Sequence, residues 1–272
     1  MNRIPSRAAV RAGWVIVFLA IAAVLVALGT IPAGATTPYR VAGHRGATGV
    51  AGYPEQSLKA VGYTATYGGQ IVEGDVRFTA DNYAVMAHDD KAPGCTGTIS
   101  GQTFAQLRTC APHTVLPQLL FWLREAKRLG LVANVELKGQ PTEHQMEVFR
   151  RTVVNEGPDV VVVASFYPDV LDTVARVLGY RVQGAPIIAR TGSLFGYSVA
   201  EHAAKYRIVM PDYRGVDVGK VRAYQAAGVE VWLWTVVDQA KDDGWSLRRS
   251  RALLGIAGGV IIADDVRKVN HG

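Results

Sequence analysis

Residues 132–164 read VANVELKGQPTEHQMEVFRRTVVNEGPDVVVVA, and their reading decides the fold. Val132 to Leu137 is a short strand, and Glu143 to Asn155 has helical spacing. Val160 to Ala164 is a pure valine-rich run, the composition of a strand buried on both faces. A strand, a helix and a second strand of this kind make a parallel pair with a crossover.

The alternation continues outward in both directions. Upstream, Arg40 to Gly43 reads as a strand, Gln56 to Tyr67 as a helix stopped by Gly68-Gly69, and Ile71 to Phe78 as a strand. Tyr83 to Ala87 is a short strand, Cys95 to Ala111 a loop, and Leu116 to Leu129 a helix. Downstream come a helix at Pro168 to Leu178, a strand at Pro186 to Ala189, a helix at Val199 to Tyr206 and a strand at Ile208 to Met210. Helix Val216 to Ala227, strand Val229 to Val236, helix Ser246 to Leu254 and strand Gly259 to Ala263 complete the series. About eight strand–helix units, in a length near the ~250 residues typical of the architecture, predict a closed (β/α)8 TIM-type barrel. No glycine-rich phosphate loop argues for an open sheet instead. Nothing breaks the composition after the leader, so residues 36–272 are read as one domain.

The 272 residues are 49% hydrophobic and 19% charged, enough apolar material for one sizeable core and too little charge for disorder. The net charge is +6, but Arg3, Arg7 and Arg11 supply half of it, leaving +3 elsewhere. That mild bias suits a phosphate-bearing small substrate and excludes a dedicated nucleic-acid surface. The three arginines, the apolar run Trp14 to Leu28 and the small residues Ala33-Gly34-Ala35 form a signal peptide over residues 1–35. Extended to Ile31, the apolar run approaches the ~20 residues of a spanning helix, so a retained membrane anchor over residues 14–31 is the alternative. Both readings place the barrel outside the cytoplasm, in solution or associated with the membrane or envelope. Cys95 and Cys110 agree: in an exported chain a disulfide is expected, contributing roughly 3 kcal/mol for a loop of about 15 residues. Two unpaired thiols are the bland alternative, and two lone cysteines are weak evidence for zinc.

In such a barrel, functional groups collect at the carboxyl ends of the strands. That rule gathers His44, Glu73, Asp75, His88, Glu136, Lys138, Ser165 and Trp234 on one rim. Glu73 and Asp75 alternate along a strand and share a face, and two adjacent anions need a cation or a proton. With Glu136 they make three hard oxygen ligands and no thiolate, a set for Ca²⁺ or Mg²⁺. Solvated strand-end acids are the plain alternative. Lys138 shares a face with Glu136, either as an ordinary ion pair or to neutralise phosphate. His44 and His88 are the acid–base candidates, because imidazole titrates nearest neutrality. A lone strand-end histidine is usually structural, but two flanking three carboxylates are better read as a pair. His113, His144, His202 and His271 are read as solvated or structural. Arg45 offers bidentate contacts to phosphate, with Glu55 either steadying the guanidinium or acting as a first-turn helix acid.

The series His44-Arg45-Gly46, Pro54-Glu55, Glu73-x-Asp75-Val76, Thr79-x-Asp81, His88-Asp89 and Glu136-x-Lys138 resembles the glycerophosphodiester phosphodiesterase family. Ser165-Phe166, Trp234-Thr235-Val236 and Gly259 to Asp265 resemble its later motifs. The resemblance spans nearly the whole exported region. It implies a barrel with one divalent metal on Glu73, Asp75 and Glu136. It also implies acid–base roles for His44 and His88, and phosphate contacts from Arg45 and Lys138. Phe166 and Trp234 are candidates to wall the glycerol site, though core packing explains Phe166 as well. Gln56-Ser57 stands where the family usually has Asn-Thr, and Asp90 to Cys95 replaces a threonine- and arginine-rich turn. The long insertion that some exported members carry after the second histidine is absent.

The expectation is therefore an exported, monomeric, metal-dependent phosphodiesterase releasing an alcohol and sn-glycerol 3-phosphate. Choline, ethanolamine, glycerol, a lysolipid and a teichoic-acid fragment all suit as the alcohol. A phospholipase acting on membrane lipids is a second enzyme reading, favoured by a retained anchor. A non-catalytic barrel binding envelope phosphate polymers is a third, whose signature would be the loss of His44 or His88.

Overall fold

The computed structural model describes residues 39–179, 182–188, 198–236 and 244–271. The expected leader lies outside the described residues. Among the described residues, nine strands form one sheet: β1 Tyr39–Gly43, β2 Ile71–Phe78, β3 Ala84–Met86, β4 Val132–Leu137, β5 Val161–Ser165, β6 Val182–Ile188, β7 Ile208–Pro211, β8 Glu230–Val236 and β9 Gly259–Ala263. All neighbours except β2 and β3 run parallel, and β1 pairs with both β2 and β9. The sheet thus closes on itself as an eight-stranded TIM-type α/β barrel, as the alternation predicts.

The period-two geometry of strands explains the valine run. On β5, Val161 and Val163 face the helices while Val162 and Ala164 fill the barrel interior beside Ala42, Ile71, Ile187, Met210, Trp232 and Ile262. β4 divides in the same way, with Ala133, Val135 and Leu137 packed against Trp122, Phe149 and their neighbours in the surrounding helices. Each such valine, leucine or phenylalanine side chain contributes about 1.5–3 kcal/mol on burial. Its inward residues, Asn134 and Glu136, are polar, so this strand spends one face on packing and the other on the site.

Three elements differ from their sequence reading. Tyr83 to Ala87 is no barrel strand: β3 is three residues long and pairs antiparallel with Val76, Arg77 and Phe78. β2 outruns β1, which pairs only with Ile71 and Val72 of it, and β3 takes the edge left over. The Cys95 to Ala111 segment contains a helix, Phe104–Arg108, started by a reciprocal capping box between Thr103 and Gln106. Leu107 of that helix joins Val85, Ile99, Ala111 and Leu116 in a small separate core, and the Cys95–Cys110 disulfide closes it. β6 begins at Val182, ahead of the expected Pro186, because Gln183 and Gly184 pair with β5 despite their weak strand propensity. No helix among the described residues is long and apolar enough to cross a membrane.

Candidate active site

The register between β2 and β4 sets the centre of the site. Asp75 lies opposite Glu136 and Glu73 opposite Asn134, all directed inward. Gly74 between the two acids turns outward, where a Cβ would meet Met86 Cε at 2.7 Å and Trp122 Cζ2 at 2.9 Å. One carboxylate oxygen from each of Glu73, Asp75 and Glu136 lies within 4.8 Å of the others, and all three residues are buried.

Two cations answer this cluster. Lys138 Nζ is 2.9 Å from Asp75 Oδ1 and 2.6 Å from Glu136 Oε1. Arg45 Nε lies 3.4 Å from Asp75 Oδ2, while its Nη1 donates to Glu55. Arg45 has φ +49°, a left-handed conformation that costs a side-chain-bearing residue of order 1–3 kcal/mol unless its surroundings hold it. They do so here: its N–H donates to Glu73 Oε2 at 2.8 Å, and its carbonyl accepts from Gln56 N at 2.8 Å. Gly46 follows at φ +77°, where a Cβ would stand 2.7 Å from that of Ala60. The turn after β1 is therefore shaped to present one backbone donor and one guanidinium to the acids.

The imidazoles have different surroundings. His44 Nδ1 lies 2.6 Å from Asp264 Oδ1, just past β9, which leaves Nε2 for the cavity. Burial disfavours the charged ring, yet the Asp264 hydrogen bond and the Glu73 carboxylate prevail, and its pKa is raised above 6.5. His88 pairs through Nδ1 with the exposed Asp89 at 2.9 Å. Burial and the Lys138 ammonium lower its pKa below 6.5, against the pull of Asp75. Among the acids, burial and the neighbouring Asp75 push Glu73 up to about 7 and Glu136 up to about 8. Burial works the same way on Asp75, but Lys138 and Arg45 hold it below the ordinary carboxylate range.

The cavity at the barrel mouth encloses about 130 Å³. Its lining combines the polar His44, Arg45, Glu73, His88, Asn134, Glu136, Lys138 and Thr235 with the apolar Ala164, Phe166, Ile187, Met210, Trp234 and Ile262. Phe166 meets Trp234 edge-on at 5.7 Å, and the indole N–H donates to the Met210 carbonyl at 2.7 Å. The structure thus brings every candidate catalytic, phosphate, metal and wall residue to one mouth, with Glu55 one step behind Arg45. Ser165 is the exception: alternation on β5 sends Ala164 to the cavity, and Ser165 is buried with its hydroxyl donating to the Leu137 carbonyl. His202 is structural, buried with Nδ1 2.7 Å from the Tyr224 hydroxyl.

Three contributors escape the sequence reading. Asp264 follows an apolar run, the strand-end signal that picks out His44, and could have been found that way. Asn134 is two residues before Glu136, so period-two alternation also points to it. Gln56 reads as a helix residue, but it precedes the helix Leu58–Thr66 at φ +65°, and its amide bridges the Asp75 carboxylate and backbone N–H. Nothing in a single sequence announces that bridge.

An all-oxygen set of three buried carboxylates within 4.8 Å of one another fits a hard divalent cation. A TIM-type barrel with this set, an arginine, a lysine and two imidazoles at its mouth defines an enzyme of phosphate-ester chemistry. A family model places the chain more narrowly: the glycerophosphoryl diester phosphodiesterase family matches residues 44–266, and the chain belongs to it. It is accordingly a phosphoric diester hydrolase. Among solved structures, the chain is similar to a phosphodiesterase from Oleispira antarctica in complex with the product sn-glycerol-3-phosphate. That match has 20% identity and a TM-score of 0.70 over 85% of this chain and 95% of the other. Glycerophosphodiester phosphodiesterases from Parabacteroides distasonis (21% identity, TM-score 0.69, 87% and 98% covered) and Thermotoga maritima (20%, 0.68, 86% and 98%) share the fold. No curated protein matches the chain.

Proposed function

We propose that the protein hydrolyses glycerophosphodiesters to an alcohol and sn-glycerol 3-phosphate, using one divalent cation, Ca²⁺ or Mg²⁺, held by Glu73, Asp75 and Glu136. The observation that carries this reading is the convergence of a buried three-carboxylate cluster with two imidazoles of opposite protonation preference at one barrel mouth. Bound there, the cation would supply charge neutralisation and Lewis acidity toward a phosphate oxygen.

The protein's own groups account for the rest. Arg45 and Lys138 sit on opposite sides of Asp75 and would balance the charge developing on the transferring phosphoryl group. His88, biased toward its neutral form, is the base that takes the proton from the attacking hydroxyl as the new oxygen–phosphorus bond forms. His44, biased toward its protonated form, donates from Nε2 to the departing alkoxide as the ester bond breaks. Asp264 keeps the His44 ring in the tautomer and orientation this requires. In the family's manner the glycerol's own hydroxyl would attack first, and water would then open the cyclic phosphate with the two histidines exchanging roles. Phe166 and Trp234 wall the side where the glycerol carbons would lie.

Export belongs to the same reading, supported by the arginine-led apolar leader and the Cys95–Cys110 disulfide. The reading takes the protein as a monomer acting on small soluble diesters. Phosphorus NMR of glycerophosphocholine digests tests the bond cleaved. Glycerol 3-phosphate, preceded by a cyclic phosphate, is expected; phosphocholine would contradict the assignment of the leaving group.

A further inference from the structure

Gln56 ties Asp75 to its own backbone. Its Nε2 donates to Asp75 Oδ2, while its Oε1 accepts from the Asp75 N–H at 3.2 Å. A backbone N–H can only donate, so the amide has one orientation and its NH₂ faces the carboxylate. The bridging residue is itself held. Gln56 is 2% exposed, and its φ of +65° lies in the left-handed region that side-chain-bearing residues rarely adopt. Its N–H donates to the Arg45 carbonyl at 2.8 Å. Its amide also needs the glycine beside Asp75: a Cβ on Gly74 would stand 2.9 Å from Gln56 Oε1. A left-handed backbone, a glycine and a two-bond bridge thus converge on one carboxylate.

The bridge makes the two oxygens of Asp75 unequal. Oδ2 receives the Gln56 NH₂ and has Arg45 Nε 3.4 Å away, so an ion approaching it would displace the amide and meet the guanidinium. Oδ1 lies on the side of a fellow acid, because Lys138 Nζ spans it and Glu136 Oε1 at 2.9 and 2.6 Å. Lys138 carries its charge on a flexible stem that can turn from the acids to a phosphate, whereas the Gln56 amide is locked. Asp75 therefore offers an ion one oxygen. Ca²⁺ gathers about six to eight oxygens and takes carboxylates in one- or two-oxygen mode, while Mg²⁺ demands a near-ideal octahedron and uses few carboxylates. Resting on the metal-dependent reading above, we propose that Gln56 is a positioning residue that restricts Asp75 to single-oxygen ligation and thereby tilts the site toward Mg²⁺ over Ca²⁺.

The test is the binding of Mg²⁺ and of Ca²⁺, each alone, measured by isothermal titration calorimetry on three proteins. These are wild type, Gln56→Met, which keeps the side chain's length without its hydrogen bonds, and Gln56→Ala; circular dichroism establishes folding, and either folded variant decides the point. The Kd for Mg²⁺ should rise about 10–100-fold, the usual cost of removing a partner that orients a metal ligand. The Kd for Ca²⁺ should change by less than about threefold, because a freed Oδ2 lets Asp75 ligate with both oxygens. A ratio of the two constants that stays at the wild-type value, or moves toward Mg²⁺, would overturn the inference and leave the metal site standing. Failure of folded wild type to bind either ion would overturn the metal-dependent reading and this inference with it.

Discussion

His44 and His88 share a side chain and differ in company. The carboxylates of Asp264 and Glu73 and the Arg45 guanidinium face His44; Lys138, Arg45, Asp75 and Asp89 face His88. Their pKa values are driven apart, one above and one below 6.5, and such divergence is how a site assigns acid and base. The sign for activity follows. A base must be neutral, so rate falls as pH drops through the lowered pKa of His88. An acid must be protonated, so rate falls as pH rises through the raised pKa of His44. The kcat/KM profile should be a bell broader than two unperturbed histidines would give. Asp264→Asn should pull in the alkaline limb, leave the acid limb in place and lower kcat; an unmoved alkaline limb would detach His44 from the acid role. His88→Ala should cost about 10²–10⁴-fold in kcat, measured on the same substrate.

At the scale of elements, β2 carries the site because one of its positions is glycine. Gly74→Ala drives a methyl against Met86, the Gln56 amide and Trp122, and should destabilise the fold by about 1–3 kcal/mol in urea unfolding. Wild-type stability in that variant would show that the packing behind the acids yields freely. The small core around Leu107 and Leu116 depends more on its crosslink. Reduction, or Cys95→Ser with Cys110→Ser, should lower stability by up to roughly 3 kcal/mol, read from urea unfolding. The limits of sequence reading also lie at this scale. Strong periodicity marks Pro168 to Leu178 and Gly259 to Ala263, and these match the observed bounds. The helix Phe104–Arg108 is too short for periodicity to show, and only its Thr103/Gln106 capping box betrays it. β3 follows from pairing: that β2 outruns β1 is a property of the closed sheet, invisible in either strand alone.

For the whole molecule, the barrel turns scattered chemistry into a site. Residues from His44 to Asp264 meet because parallel strands end on one rim, and that rule makes most of the site legible in the sequence. Gln56 is hidden because its role depends on the neighbour it meets, the Asp75 carboxylate and backbone that its amide bridges. The central claim is that this rim performs metal-dependent diester hydrolysis through His44. The most direct measurement is glycerol 3-phosphate release from glycerophosphocholine by the purified protein with calcium, with magnesium and with a chelator, beside His44→Ala. Release that needs a divalent ion and falls by about 10²-fold or more in the variant is the predicted result. Undiminished release under chelation, or from His44→Ala, would contradict the account.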